Sequence, residues 1–319
     1  MHFCFISFLF VYLFRLKHKH MNFTGAFIGD ITGSVYEWNN AQTFNEIEIM
    51  KAGSHPTDDS VLTVAIMEWL MKTNKATTSD QREVLIKCLR DAYKRHPKAG
   101  YGSMFNKWAQ SSEDEPTDSY GNGAAMRVSP CGFVADSLEE AENLAKLSAE
   151  VSHNHKDAIE GAQAIAAAIY MARTGHRMEH IRKYLQDKYN YDLDRSCISI
   201  HGSHSFTAMA RTTVQEALIA FFEGEDFRSV LRYAIYVGGD SDTIAAMACA
   251  IAGAKYGISS RLSENALSFF GGVDLQIISD FAAFVTKCVG NKGEDGDNFN
   301  YDFKAKFYNA GVPTKEDYK

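Results

Sequence analysis

Two short stretches carry more oxygen ligands than their local structure needs. Pro56-Thr57-Asp58-Asp59-Ser60 stands before the apolar run that starts at Val61, and Gly238-Gly239-Asp240-Ser241-Asp242-Thr243 stands before the one that starts at Ile244. Taken singly, each reads as a helix cap, because Asp, Ser and Thr accept orphan backbone N–H groups and negative charge suits the positive end of a helix. Taken together they do not, since one cap needs one side chain and each stretch spends two carboxylates and a threonine hydroxyl. If the two helix starts converge, their carboxylates repel one another strongly unless cations neutralise them. Carboxylates, hydroxyls and carbonyls are what hard divalent cations bind; with no His or Cys in either stretch, the set suits Mg²⁺, Mn²⁺ or Ca²⁺ better than zinc. Gly238 and Gly239 would let backbone and ligand approach closely.

Other signals are weaker. Ala99-Gly100-Tyr101-Gly102-Ser103 and Gly121-Asn122-Gly123 could turn backbone N–H groups toward a pyrophosphate, although neither has Walker or dinucleotide spacing. Arg127 would attract phosphate or pair with an acidic neighbour. His153-x-His155 and His201-x-x-His204 lack further ligands at zinc-like spacing and read as polar helix-start histidines. Met67, Trp69 and Met71, and the aromatics of 219–236, read as packing on helices.

The elements that must position these groups are helices. Val61, Leu62, Ala65, Ile66, Trp69 and Leu70 recur at three- and four-residue intervals, as do Leu138, Ala141, Leu144, Ala145 and Leu147 behind a Ser137-x-x-Glu140 capping box. Similar spacing covers about 79–95, 156–174, 212–223, 227–237, 243–256 and 273–289, with little period-two alternation. The stretches 156–174 and 243–256 are rich in alanine, which permits close helix approach, and Gly175 and Gly257 stand where C-caps fall. Thr43–Gly53, Ser111–Gly123 and Leu193–Phe206 read as loops. The expected class is one all-α domain over residues 21–290, with a polar, peripheral tail at 291–319.

Composition fits a folded, reduced protein. Of 319 residues 45% are hydrophobic, enough for a sizeable core. Three basic and no acidic residues lie in 1–20, so the net charge of −7 leaves −10 for residues 21–319. A body that acidic has no general electrostatic footprint for nucleic acid. The six cysteines are scattered without a C-x-x-C pair, which argues against disulfides and thiolate zinc and for a cytoplasmic location. Residues 1–14 are apolar but shorter than the ~18–20 residues of a bilayer span. Met21 directly precedes the motif-bearing body, so residues 1–20 read as an extension from an early-assigned start, with a short membrane anchor as the alternative.

The motifs have a familiar order. Gly25-Ala26-Phe27-Ile28-Gly29-Asp30 with Gly33-Ser34 and Glu37, then Thr57-Asp58-Asp59-Ser60, Gly121-Asn122-Gly123-Ala124-Ala125-Met126-Arg127, Ser152-His153 and Gly239-Asp240-Ser241-Asp242-Thr243, resemble those of the ADP-ribosylglycohydrolase family. That family includes dinitrogenase-reductase-activating glycohydrolases, ADP-ribosylarginine and ADP-ribosylserine hydrolases and the J1 crystallins. The resemblance spans about residues 22–290. It departs at Ser60, where many relatives have Thr, and over Ala208–Glu216, which lacks the Gly- and Pro-containing pattern of close relatives.

The resemblance implies a compact orthogonal multi-helix domain with a binuclear Mg²⁺ site, Mn²⁺ being the alternative ion. It assigns Thr57, Asp58, Asp59, Asp240, Asp242 and Thr243 to metal, and Glu37 with Asp58 to catalysis. It places Gly102, Ser103, Asn122, Gly123, Ala124 and His153 along an ADP-ribose cleft. The implied reaction cleaves the N- or O-glycosidic bond between ADP-ribose and a protein side chain or small acceptor, with metals positioning the ribose hydroxyls and activating water. The alternatives are a silent, crystallin-like or ADP-ribose-binding member, and a hydrolase of another ribosyl metabolite. Five retained acidic groups, at 37, 58, 59, 240 and 242, favour the enzyme.

Overall fold

The computed structural model describes residues 22–75, 80–201 and 205–290. The expectations for the extension 1–20, the tail 291–319 and His204 lie outside these residues. Among the described residues there are fourteen α-helices: α1 Gly25–Gly33, α2 Asp58–Thr73, α3 Gln81–Arg95, α4 Ser103–Gln110, α5 Ser129–Val134, α6 Leu138–Glu150, α7 Lys156–Arg173, α8 Met178–Tyr189, α9 Cys197–His201, α10 Ala210–Glu223, α11 Phe227–Val237, α12 Ser241–Tyr256, α13 Ser260–Leu267 and α14 Gly272–Gly290. Among the described residues strand pairing is limited to two isolated bridges, Thr117 with His153 and Gly121 with Met209. No described helix is long and apolar enough to cross a membrane.

The centre is α12, apolar or small on every face and buried from Ser241 to Gly253, the pattern of a helix inside a large core. Helices α1, α7, α10 and α11 pack around it. The closest approach is by α1. A Cβ on Gly25 would fall 2.1 Å from Cys249 O, one on Gly29 2.1 Å from Ala245 O, and one on Gly33 2.4 Å from Asp242 Cα. Three glycines at four-residue spacing thus form a stripe along which backbone meets backbone. Phe27, Ile28 and Ile31 on the other faces of α1 are fully buried, each contributing about 1.5–3 kcal/mol. This packing offsets the low helix propensity of glycine and sets the end of α1 against the start of α12.

Every apolar run expected to be helical is a helix, with ends shifted by a few residues. Gly257, at φ +76°, ends α12, and Gly175, at φ +83°, follows α7 one residue beyond its cap. The capping box at α6 is half formed: Ser137 accepts from Glu140 N at 3.0 Å, while the Glu140 carboxylate accepts from Asp136 N instead. The stretch 193–206 is not all loop, because Cys197 and Ile200 bury one face of the short α9. Helices α1, α4, α8 and α13 lie outside the runs read from the sequence: α4 and α13 span only eight residues each, and α8 buries only Ile181, Leu185 and Tyr189 among charged neighbours.

Candidate active site

Helices α2 and α12 start at the same place. Thr57 caps α2, its Oγ1 accepting from Asp59 N at 3.4 Å, while Asp58 N donates to Ala99 O at 2.8 Å. The rest of the cap comes from α1: Asp30 accepts from Thr57 N at 3.0 Å, Thr57 Oγ1 at 2.6 Å and Ser60 N at 3.1 Å. The carboxylates of Asp58 and Asp59 are therefore not spent on capping, and the capping reading does not account for them. At the other helix start, Gly238 and Gly239 turn the chain at φ +87° and +69°, left-handed values that favour glycine, and deliver Asp240 as the N-cap of α12.

The two starts touch. Thr243 Oγ1 donates to Asp59 Oδ2 at 3.1 Å, and Asn122 Nδ2 donates to Asp240 Oδ2 at 2.7 Å. Asp30, Asp59 and Asp242 each bring a carboxylate oxygen within 4.8 Å of the other two, and so do Glu37, Asp240 and Asp242. Thr57, Asp59, Asp240, Asp242 and Thr243 are buried, and Asp58 is partly exposed at the cleft floor. Burial first, then mutual repulsion, holds Asp58, Asp59 and Asp242 well above the usual carboxylate range. Glu37, half-buried on the loop after α1, is pushed up to about 6 by burial and by Asp240, against a hydrogen bond from Trp38.

Above this floor opens a cleft of about 730 Å³. One wall is the segment 117–122, stitched to its neighbours by Thr117 N to Ser152 O at 3.1 Å and Asn122 N to Ala208 O at 2.9 Å. Asn122, Gly123 and His153 line it, and Gly102 and Ser103, at the start of α4, line the cleft as well. Ala124 is the exception among the expected cleft residues: its side chain packs in the core. Arg127 is fully buried and neither faces the cleft nor pairs with a carboxylate; its Nη2 donates to Ser148 O at 2.7 Å and Ser152 Oγ at 2.8 Å.

Two of the other histidines singled out in the sequence have local roles. His155 caps α7, its Nδ1 accepting from Asp157 N at 3.1 Å, and His201 stacks on Tyr236. Neither acidic group contains a histidine. Two features escaped the sequence reading of the site. Asp30 is the organiser that ties α1 to Thr57, marked in sequence only by its place in the first glycine motif. Trp38, 77% exposed, stacks on Phe206 at 4.8 Å to form an aromatic rim, joined through space and invisible to local periodicity.

Fold and site together define an all-α protein with two acidic helix starts meeting under a cleft. Residues 22–275 match the ADP-ribosylglycohydrolase family, and the chain belongs to it. The chain is 26% identical over 308 residues to ADP-ribosylhydrolase ARH3 of Mus musculus, covering 73% of this chain and 82% of that protein. It is 28% identical over 139 residues to ADP-ribosyl-[dinitrogen reductase] glycohydrolase of Rhodospirillum rubrum, covering 43% and 47%. A solved structure titled ADP-ribosylglycohydrolase-related protein complex shares the fold, with a TM-score of 0.64 at 23% identity, covering 84% of this chain and 96% of that one.

Proposed function

We propose that this protein is a magnesium-dependent ADP-ribosyl glycohydrolase that cleaves the N- or O-glycosidic bond between ADP-ribose and a modified side chain or small acceptor. The observation that carries the reading is the meeting of Thr57, Asp58 and Asp59 with Asp240, Asp242 and Thr243 beside Glu37 on the cleft floor.

The donors fit two hard divalent cations. All are oxygens, and two groups of three carboxylates share Asp242. Asp59 Oδ1 is buried without a hydrogen-bond partner, and among the described residues no lysine or arginine pairs with Asp58, Asp59 or Asp242. Thr57, Asp58, Asp59, Asp240, Asp242 and Thr243 would hold the ions, Mg²⁺ or alternatively Mn²⁺. When bound, such ions supply positive charge that grips ribose hydroxyls and makes water easier to deprotonate.

The chain's own residues do the rest. A carboxylate near 6 can take a proton from an attacking water at pH 7, so Glu37 is the base, with Asp58 as its neighbour on the floor. As the bond to the acceptor breaks, the acceptor leaves carrying a proton, made good by the one the water gives up, and oxocarbenium-like charge on the ribose is stabilised by the same carboxylates. Asn122 holds the Asp240 carboxylate in place, and Gly102, Ser103, Gly123 and His153 bind the nucleotide portion along the walls.

The test is a time course of free ADP-ribose from ADP-ribosyl-arginine and ADP-ribosyl-serine peptides, with Mg²⁺, with EDTA and with Asp240→Asn. Magnesium-dependent release that disappears in the variant is expected. Full release in EDTA, or no release from either peptide or from a small ADP-ribosyl compound run alongside, overturns the reading.

A further inference from the structure

Behind the cleft wall lies a buried cation that the reaction does not use. Arg127 has no exposed surface, its guanidinium sits 5.7 Å from the Phe105 ring centre, and its Nε and Nη1 have no hydrogen-bond partner. Burial lowers it only to about 9, so it remains charged near neutral pH. Its whole polar output runs through Nη2, to Ser148 O at 2.7 Å and Ser152 Oγ at 2.8 Å. Ser152 Oγ in turn lies 2.8 Å from His153 Nδ1.

The donor and acceptor inventory fixes the direction of this chain. A guanidinium only donates, so Ser152 Oγ accepts from Arg127. The hydroxyl has one hydrogen, and His153 Nδ1 is the acceptor within reach. With Nδ1 accepting, the imidazole carries its proton on Nε2. The reverse arrangement, Nδ1–H donating to Ser152, strands the hydroxyl hydrogen in a site that is 1% exposed. A charged imidazole is opposed as well, since burial and the Arg127 charge push His153 down to about 3.

The backbone that carries the ring is pinned. His153 N donates to Ala149 O at 2.9 Å, and Thr117 N to Ser152 O at 3.1 Å and Asn154 N to Thr117 O at 2.8 Å clamp the chain on both sides. The Nε2 end faces the cleft wall, 3.2 Å from where a Cβ on Gly123 would sit.

We propose that Arg127 is a positioning residue: through Ser152 it holds His153 as the neutral tautomer protonated on Nε2, a fixed hydrogen-bond donor for a substrate oxygen in the cleft. His153 is then a binding group and not an acid or base. The use of that donor by ADP-ribose rests on the function proposed above; the position of the proton does not.

The test reads the proton directly. Full-length protein labelled with ¹⁵N-histidine is examined by two-bond ¹⁵N–¹H correlation, with His153 assigned by its loss in His153→Gln. The expected spectrum shows protonated Nε2 and bare Nδ1, unchanged from mildly acidic to mildly alkaline pH. In Ser152→Ala the tautomer balance shifts and KM for the ADP-ribosyl peptide rises several-fold with little change in kcat. Arg127→Lys, where it folds, shifts the spectrum in the same direction. A wild-type His153 protonated on Nδ1, or an imidazolium signature, overturns the proposal, as does a Ser152→Ala variant with both spectrum and KM unchanged. The expected spectrum in a protein that releases no ADP-ribose supports the relay and overturns only the reaction.

Discussion

Thr243 Oγ1 donates to Asp59 Oδ2 at 3.1 Å, joining residues 184 positions apart. The contact means that α2 and α12 meet at their N-termini, so two positive helix ends point at one acidic cluster. Those dipoles, and Thr57, Thr243 and Asn122 as neutral donors, offset only part of the repulsion among Asp30, Asp58, Asp59, Asp240 and Asp242. The carboxylates pushed up out of their ordinary range are the mark of what is left over.

That residual repulsion predicts a pH-dependent response to metal. A carboxyl raised in the folded state binds more protons there than in the unfolded chain, where it titrates near ~4. Stability is therefore lost as pH rises from about 4 through the folded pKa values of Asp58, Asp59 and Asp242. Divalent ions remove the penalty, so Mg²⁺ should raise Tm more at about pH 8 than near pH 5. Asp242→Asn should raise the Tm measured in EDTA at the higher pH and shrink the magnesium increment. A Tm indifferent to Mg²⁺ at both pH values would sink the two-ion site.

The glycine stripe predicts an unequal pair of substitutions. Gly33→Ala places a methyl 2.4 Å from the Asp242 backbone, where neither helix can yield, so it should cost about 1–3 kcal/mol or more and weaken the magnesium response. Gly102→Ala meets nothing within 4 Å and has an ordinary φ of −58°, so stability should hardly change. Urea midpoints of the two variants check this; equal midpoints would mean that α1 does not lie on α12 as described.

Glu37 belongs to one of the two acidic groups, so its substitution tests whether it serves the reaction or the metal. It lies half-buried beside Asp240 and outside the hydrogen-bonded cap of α2. Glu37→Gln should lower kcat by about 10²–10⁴-fold, the usual worth of a positioned base, while the magnesium increment in Tm stays. Loss of both together would make Glu37 a metal ligand first.

The sequence showed the helices and the acidic floor for different reasons than it missed the rest. Long apolar runs such as Val61–Leu70 and Ile244–Tyr256 repeat at helical spacing, and their acidic mouths are contiguous in the chain. Helix α1 was legible only as a motif, because its glycines oppose helix formation locally and are rewarded only by contact with α12. Asp30 is one carboxylate among 40 acidic residues until Thr57 and Ser60 are seen to donate to it. Arg127 read as a phosphate ligand or ion-pair partner, and nothing local says that a core surrounds it.

His153 makes the last prediction, because its sign is opposite to that of the carboxylates. Burial and Arg127 lower it from 6.5 to about 3, so between those values the unfolded chain binds a proton that the folded protein refuses. Its contribution is intact above about pH 6.5 and is lost progressively as pH falls, about 2 kcal/mol by pH ~5 at 1.36 kcal/mol per unit. His153→Gln removes this term while leaving the raised carboxylates in place. The difference in unfolding free energy between wild type and variant should therefore shift by about that amount between pH ~7 and ~5, read from urea titrations. Parallel curves would show that His153 titrates normally and that the wall behind the cleft is wet.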